Sequence, residues 1–346
     1  MNVHAIKGGS TVLYFCNAYC AMKKDKRNLW LFIVEFLAAA AIIAAGLVLQ
    51  HRAEEKDAAL TDAETRARRF APSITYKEKS YPLKRNVSSV LLIGTDNFAG
   101  DSKQYEGLTY NFNLADFLVI LVFDHSAKTV TPFQICRDSM CDVTMPSGKT
   151  ERMQITLSHT YGTGGNDSCV ITRNAVEGLL YGVPVDNYLA FTMDAVPLMN
   201  DLAGGVTVKL EDSIPELGPE YVAGAEITLH GQEALRFVRY RDTSLLDDNL
   251  RRMAHHRQYM DAFSTAARVA MSADPDYAVK CFRAAEKFLC TDLSVEQITD
   301  MVNDLCSYQL MPAITPEGVY GPGKTFPEFV VDDASLWECV RSVFCV

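Results

Sequence analysis

Residues 117–135 read FLVILVFDHSAKTVTPFQI. Phe117 to Phe123 is apolar at every position, as a strand buried on both faces is, and Thr129 to Ile135 is rich in β-branched and aromatic residues. The link Asp124 to Lys128 is too short for a crossover between parallel strands, so the two runs form an antiparallel hairpin. A turn centred near residue 126 sets position 116 opposite about position 136. Asp116 and Arg137 therefore become neighbours. Val90 to Ile93 reads as a further strand leading into Gly-Thr-Asp, and running antiparallel beside Phe117 to Phe123 it brings Asp96 to the same edge. Two carboxylates and an arginine then share one rim. The alternative is that Asp116 caps a strand end and pairs with Arg137 on the surface, which contributes at most about 1 kcal/mol.

Helical spacing marks Val170 to Tyr181, Gln232 to Tyr240, Leu250 to Met271, Pro275 to Cys290 and Ser294 to Tyr308, while Val185 to Phe191 and Val206 to Leu210 are further strands. Gln309 to Val346 reads as a strand or two and a final helix. Strands interleaved with helices, two of them joined as a hairpin, predict an α/β fold. It is a mixed central β-sheet covered by helices on both faces, an α-β-α sandwich, preceded by one transmembrane helix.

That helix is LWLFIVEFLAAAAIIAAGLVL, residues 29–49, which at about 1.5 Å per residue spans a hydrocarbon core of roughly 30 Å. Its charge, Glu35, lies near the first end, within reach of the headgroups. Lys7, Lys23, Lys24, Lys26 and Arg27 precede the segment against Asp25 alone, which favours a cytoplasmic N-terminus. A cleaved signal peptide is the rival reading. The expected organisation is a basic cytoplasmic segment 1–28, the membrane helix 29–49, a charged stalk and linker 50–85, a globular domain 86–271 and a mainly helical C-terminal appendage 272–346. The protein is expected in the cell membrane as a single-pass chain whose globular domain is extracytoplasmic. The cysteines Cys136, Cys141, Cys169, Cys281, Cys290, Cys306, Cys339 and Cys345 then face an oxidising exterior, and their even number predicts at least one disulfide.

The chain carries 33 basic and 43 acidic residues, a formal net charge of −10. A protein that grips nucleic acid through its phosphates carries a basic excess, so no nucleic-acid partner is expected. With 48 % apolar and 22 % charged residues the chain also falls outside the disordered, collagen-like and coiled-coil classes.

Against this acidic background Arg236, Arg239, Arg241, Arg251, Arg252 and Arg257 crowd into 22 residues. The guanidinium fork grips phosphate oxygens bidentately and stays ionised, so the cluster points to an anionic ligand. A solvated helix face laced with i,i+4 pairs is the bland alternative. Asp96 and Asp116 at the opposite rim can hold Mg²⁺, which is usually bound through one or two carboxylates plus ligand phosphates. His255 and His256 are too few for a metal site, and His159 reads as a packed or loop histidine. The chain has neither a Gly-x-Ser-x-Gly elbow nor a Gly-x-x-x-x-Gly-Lys phosphate loop.

The order of motifs resembles the LytR-CpsA-Psr family of cell-envelope proteins over roughly Val87 to Phe263. The matching pieces are VLLIGTD ending at Asp96, ADFLVILVFD from Ala115, QICRDS around Arg137 and Asp138, LSHTYG around His159, DLAGGV from Asp201, ALRFVRYR ending at Arg241 and RMAHHRQ from Arg252. The chain departs from the family pattern at Leu114-Ala115, where Arg-Ser is common, and at His255, where a second arginine is common. The resemblance implies a phosphotransferase that moves an anionic glycopolymer, of the teichoic acid kind, from a polyprenyl pyrophosphate carrier to a peptidoglycan sugar hydroxyl as a phosphodiester. Carried onto this chain, it implies Mg²⁺ (or Mn²⁺) on Asp96 and Asp116 and catalytic roles for Arg137, Asp138 and Arg252. The pyrophosphate falls to Arg137, Arg239 or Arg241, Arg252 and Arg257. Asp138 or Asp248 takes the acceptor proton, and the lipid tail is expected in an apolar channel between the sheet and helices such as Val170 to Tyr181. A hydrolase of the lipid pyrophosphate and a non-catalytic receptor for polyprenyl phosphates or envelope polymers would use the same arginines.

Overall fold

The computed structural model describes residues 73–96, 102–105, 108–111, 113–242, 245, 247–274, 276–323 and 326–346. The expected cytoplasmic segment and transmembrane helix lie outside these residues, and among the described residues no helix is long and apolar enough to cross a membrane.

Six strands form the central sheet: β1 (Val87–Thr95), β2 (Phe117–Asp124), β3 (Thr129–Gln134), β4 (Asn187–Thr192), β5 (Leu289–Thr291) and β6 (Gln309–Leu310). Their order is β5-β4-β1-β2-β3-β6, with β4 parallel to β1, β6 parallel to β3 and the other pairs antiparallel. The sheet is therefore mixed, as the short β2–β3 link requires. Seven α-helices accompany it among the described residues: α1 (Asn166–Leu179), α2 (Ala195–Leu202), α3 (Gln232–Arg239), α4 (Asp248–Ala273), α5 (Tyr277–Ala285), α6 (Val295–Ser307) and α7 (Asp333–Phe344).

Side chains alternate across the pleat and give the sheet two apolar faces. Leu91, Ile93, Leu118, Ile120 and Phe133 enter one core with Ile171 and Val176 of α1 and Leu336, Trp337 and Val340 of α7. Val90, Val119, Leu121, Phe123 and Val130 face the other way, toward Met260 of α4 and Met301 and Leu305 of α6. Helices thus cover both faces, and α6 opens on a capping box in which Ser294 and Gln297 satisfy each other's backbone N–H groups.

Three stretches differ from their sequence reading. In the stretch read as a helix to Cys290, the α-helix runs from Tyr277 to Ala285 and a 3₁₀ turn continues it over Glu286–Phe288; Leu289–Thr291 instead pairs with β4 as the sheet's edge, because tertiary pairing overrides the propensity of so short a segment. Among the described residues, strand pairing starts with a hairpin, Ser73–Tyr76 with Lys79–Pro82, inside the stretch read as stalk and linker. Tyr76 stacks on Trp337 of α7 with ring centroids 4.2 Å apart, so the hairpin's stabilising partner stands some 260 residues away and no local pattern discloses it. The segment after Ser272 supplies β5, β6 and α7 to the central core as well as a further hairpin, Gly318–Gly321 with Glu328–Val331. The eight described cysteines are free thiols, so the expected disulfide is absent from this structure.

Candidate active site

The strand register builds the site. Gly94 pairs with Phe117 at the end of the β1–β2 ladder, and Val119 pairs with Gln134 at the end of β2–β3. A Cβ on Gly94 would stand 2.8 Å from Phe117 Cβ, so this close approach of the strands requires glycine. Continuing the two registers past the ladders sets Asp116 opposite Thr95 on one side and Arg137 on the other. Arg137 forms an ion pair with Asp116, and its Nε lies 3.2 Å from Asp138 Oδ1.

The N-terminal turns of α4 deliver the second arginine. Arg252 is 6 % exposed, donates through Nη2 to Asn249 Oδ1 at 2.8 Å, and sets Nη1 3.8 Å from the Asp116 carboxylate. Its buried Nε has no hydrogen-bond partner. Burial, then the charges of Arg137 and Arg241, push the Arg252 guanidinium down to about 9. A buried cation that is only partly paired and repelled by its neighbours is relieved by an anion. Arg239 sits 3.5 Å from Asp96, both largely exposed, and Arg241 Nε donates to the buried Asp248 at 2.7 Å. Arg257 is not brought to this group: it donates to Gln134 Oε1 at 2.8 Å, more than one helical turn beyond Arg252.

Asp116, Arg239, Arg241 and Arg252 form the polar end of a cavity of about 420 Å³ whose remaining wall is almost wholly apolar, including Leu121, Phe191, Met260, Phe263, Phe282 and Met301. Asp96 and Arg137 do not line it but pair with residues that do. The channel expected beside Val170 to Tyr181 thus lies on the opposite face, between the sheet and α2, α4, α5 and α6, because α1 packs densely into the closed core. His256 lines the cavity, donates through Nε2 to the Val238 carbonyl at 2.9 Å, and is pushed down to about 3 by burial and then by the Arg252 charge. His255 turns away to Asp212, 3.2 Å from its Nε2. His159 is buried as a packed histidine, donating through Nδ1 to the Asn113 carbonyl at 2.9 Å.

Three residues that the sequence reading passed over fix this constellation. Tyr320 donates its hydroxyl to Asp138 Oδ2 at 2.9 Å, Gln154 donates to Oδ1 at 3.2 Å, and Asn249 orients Arg252. Tyr320 comes from the Gly318–Val331 hairpin, far from any motif. Asn249, three residues before Arg252 on a helix, was discoverable from i,i+3 spacing.

Asp96 and Asp116 are hard oxygen donors at one rim, the type Mg²⁺ takes, but both are paired with arginines here. Among the described residues no group of three or more His, Cys, Asp or Glu could hold a metal. Two carboxylates are donors of the kind Mg²⁺ takes when water and phosphate complete its shell, and they would have to be released from their arginines to serve.

A family model, the LytR_cpsA_psr family, matches residues 47–311. The chain is 31 % identical over 153 residues to the polyisoprenyl-teichoic acid–peptidoglycan teichoic acid transferase TagU of Bacillus licheniformis, a match spanning 44 % of each chain. It is 28 % identical over 266 residues to the corresponding TagT of Bacillus subtilis, covering 74 % of this chain and 75 % of that one. Its fold is similar to the crystal structure of B. subtilis TagT, with TM-score 0.56, 20 % identity and coverage of 79 % and 96 %. A structure of TagT bound to LI-WTA gives TM-score 0.57 at 20 % identity, covering 79 % and 95 %. A match over most of the chain, on the fold and motifs described above, places this protein in the LytR_cpsA_psr family.

Proposed function

We propose that this protein is an extracytoplasmic, membrane-anchored phosphotransferase that moves an anionic glycopolymer from a polyprenyl pyrophosphate carrier to a peptidoglycan hydroxyl, forming a phosphodiester. The observation that carries the reading is the shape of the cavity: a long apolar wall ending in Arg239, Arg241 and Arg252 matches one molecule that is hydrocarbon at one end and pyrophosphate at the other. Each CH₂ buried in such a wall contributes about 0.8 kcal/mol.

In this reading Arg252 and Arg137 exchange the Asp116 carboxylate for pyrophosphate oxygens, and Arg239 or Arg241 completes the grip. These cations stand where charge grows on the phosphoryl oxygens and on the leaving polyprenyl phosphate, which is how phosphoryl transfer is mainly accelerated. Asp248 holds Arg241 in place. Asp138 accepts from Arg137, Gln154 and Tyr320, which leaves about one of its four lone-pair sites for the acceptor hydroxyl proton. A Mg²⁺ (or Mn²⁺) on Asp96 and Asp116 would supply further neutralisation of the pyrophosphate. The curated relatives named above are teichoic acid transferases, which supports a polymer of that class.

Mass spectrometry of the products tests this directly, using full-length protein, Mg²⁺ and a polyprenyl pyrophosphate-linked sugar with and without a peptidoglycan oligomer. The expected result is a phosphodiester conjugate only when acceptor is present. Free sugar phosphate in both tubes would mean hydrolysis, and intact lipid in both would mean a receptor.

A further inference from the structure

On the face of the sheet away from the cavity, two cysteines and a histidine form a second cluster. Cys169 is buried in the first turn of α1, and Cys290 is the partly exposed central residue of the edge strand β5. Their sulfurs lie 3.9 Å apart, and Cys169 Sγ is 3.6 Å from His159 Nε2. Because a carbonyl oxygen can only accept, the bond to Asn113 fixes the proton of His159 on Nδ1 and leaves Nε2 as an acceptor facing Cys169. The other described thiols are not arranged this way. Cys136 is enclosed with Tyr320 and Asn249, Cys306 lies against the Met271 thioether, and burial pushes the Cys141 thiol up to about 12.

We propose that Cys169 and Cys290 form a redox-active pair that closes, by exchange with a disulfide-bonded oxidant, into an intramolecular disulfide stapling α1 to β5. Cys290 is the accessible sulfur, 3.0 Å from Asn166 Oδ1, and Cys169 is buried, so exchange with an external disulfide starts at Cys290. The Cys290 thiolate attacks one sulfur of the oxidant, forming a mixed disulfide and releasing the first partner thiolate. Cys169 then attacks Cys290 Sγ as its proton passes by way of His159 Nε2 to the second partner thiolate, which leaves as a thiol. Two thiols lose two electrons and two protons in total, and the oxidant's disulfide becomes two thiols.

The staple acts on the cavity from behind. Leu289 and Cys290 point to opposite faces of β5, so Leu289 lines the cavity while Cys290 meets α1. Ala278, Phe282 and Ala285 of α5, which leads into β5, belong to the same wall. Tying β5 to the closed core fixes that wall without touching the arginines.

The test treats full-length protein with oxidised glutathione, blocks remaining thiols with N-ethylmaleimide under denaturing conditions, and maps peptides by mass spectrometry without reduction. The expected product joins the peptides containing Cys169 and Cys290, lighter by two hydrogens than the two thiol peptides, with the other eight cysteines of the chain, Cys16 and Cys20 included, recovered as adducts. Reduction should lower Tm by about 5–10 °C in the wild type and leave the half-exposed Cys290→Ser variant unchanged. Recovery of both Cys169 and Cys290 as adducts, a bond from Cys290 to any other cysteine, or an unchanged Tm on reduction of the oxidised wild type overturns the proposal.

Discussion

The two faces of the central sheet are made from alternate residues of the same strands and differ in what covers them. Leu91, Ile93, Ile120 and Phe133 are fully buried under α1 and α7, whereas Leu92, Leu121 and Leu189 line the cavity of about 420 Å³ beneath α4, α5 and α6. Protein interiors pack like organic crystals, so a hollow of this size over half a sheet is not a packing accident. The closed face holds the fold together, and the open face leaves an apolar hollow with cations at its mouth, which the proposed function assigns to a hydrocarbon ligand.

The largest effect that sharpens this contrast belongs to the mouth. Arg252→Ala and Arg137→Ala should each lower kcat by about 10²–10³, with circular dichroism unchanged, because each removes a donor aimed at charge developing on phosphate. Undiminished turnover in both would detach the arginines from the chemistry. Next come the faces themselves. Leu336→Ala in the closed core should cost about 2–5 kcal/mol in denaturant unfolding, while Met301→Ala on the cavity wall should cost less than about 1 kcal/mol and instead raise KM for long-chain lipid substrates. Equal destabilisation by the two would erase the distinction between the faces.

Acid should weaken the cavity side through His256. Its folded pKa of about 3 lies below the ordinary value of 6.5, so the unfolded chain binds the extra proton between those limits. The stabilisation is therefore complete above about pH 6.5 and is lost as pH falls toward about 3, by at most about 1.4 kcal/mol per pH unit. His256→Gln should flatten that slope in pH-dependent unfolding, and an unaltered slope would remove His256 as its source. The smallest effect belongs to Tyr320→Phe, which leaves the Asp138 carboxylate short of one donor. A kcat lowered about 3- to 10-fold at constant KM is expected, with about 1 kcal/mol lost in stability.

Much of the rim was legible in the sequence because a hairpin is local arithmetic. Once Phe117 to Phe123 and Thr129 to Ile135 were paired about their short link, Asp116 had to meet Arg137, and the observed register sets them opposite. The side of the sheet holding the cavity was not legible, since FLVILVF is apolar at both alternations and gives no sign of which face is enclosed by α1 and which is left open. The Tyr76–Trp337 stack and the Tyr320–Asp138 hydrogen bond were equally silent. Each joins segments more than 180 residues apart that no periodicity connects.

The measurement that bears most directly on the central claim is native mass spectrometry of the full-length protein with a polyprenyl pyrophosphate carrying no glycan. One lipid per chain is predicted, retained in Cys290→Ser, reduced in Met260→Trp, which narrows the hollow, and lost in the combined Arg137→Ala and Arg252→Ala variant. Equal lipid occupancy in all four proteins would contradict an account in which the open face holds the chain and the arginines hold its pyrophosphate.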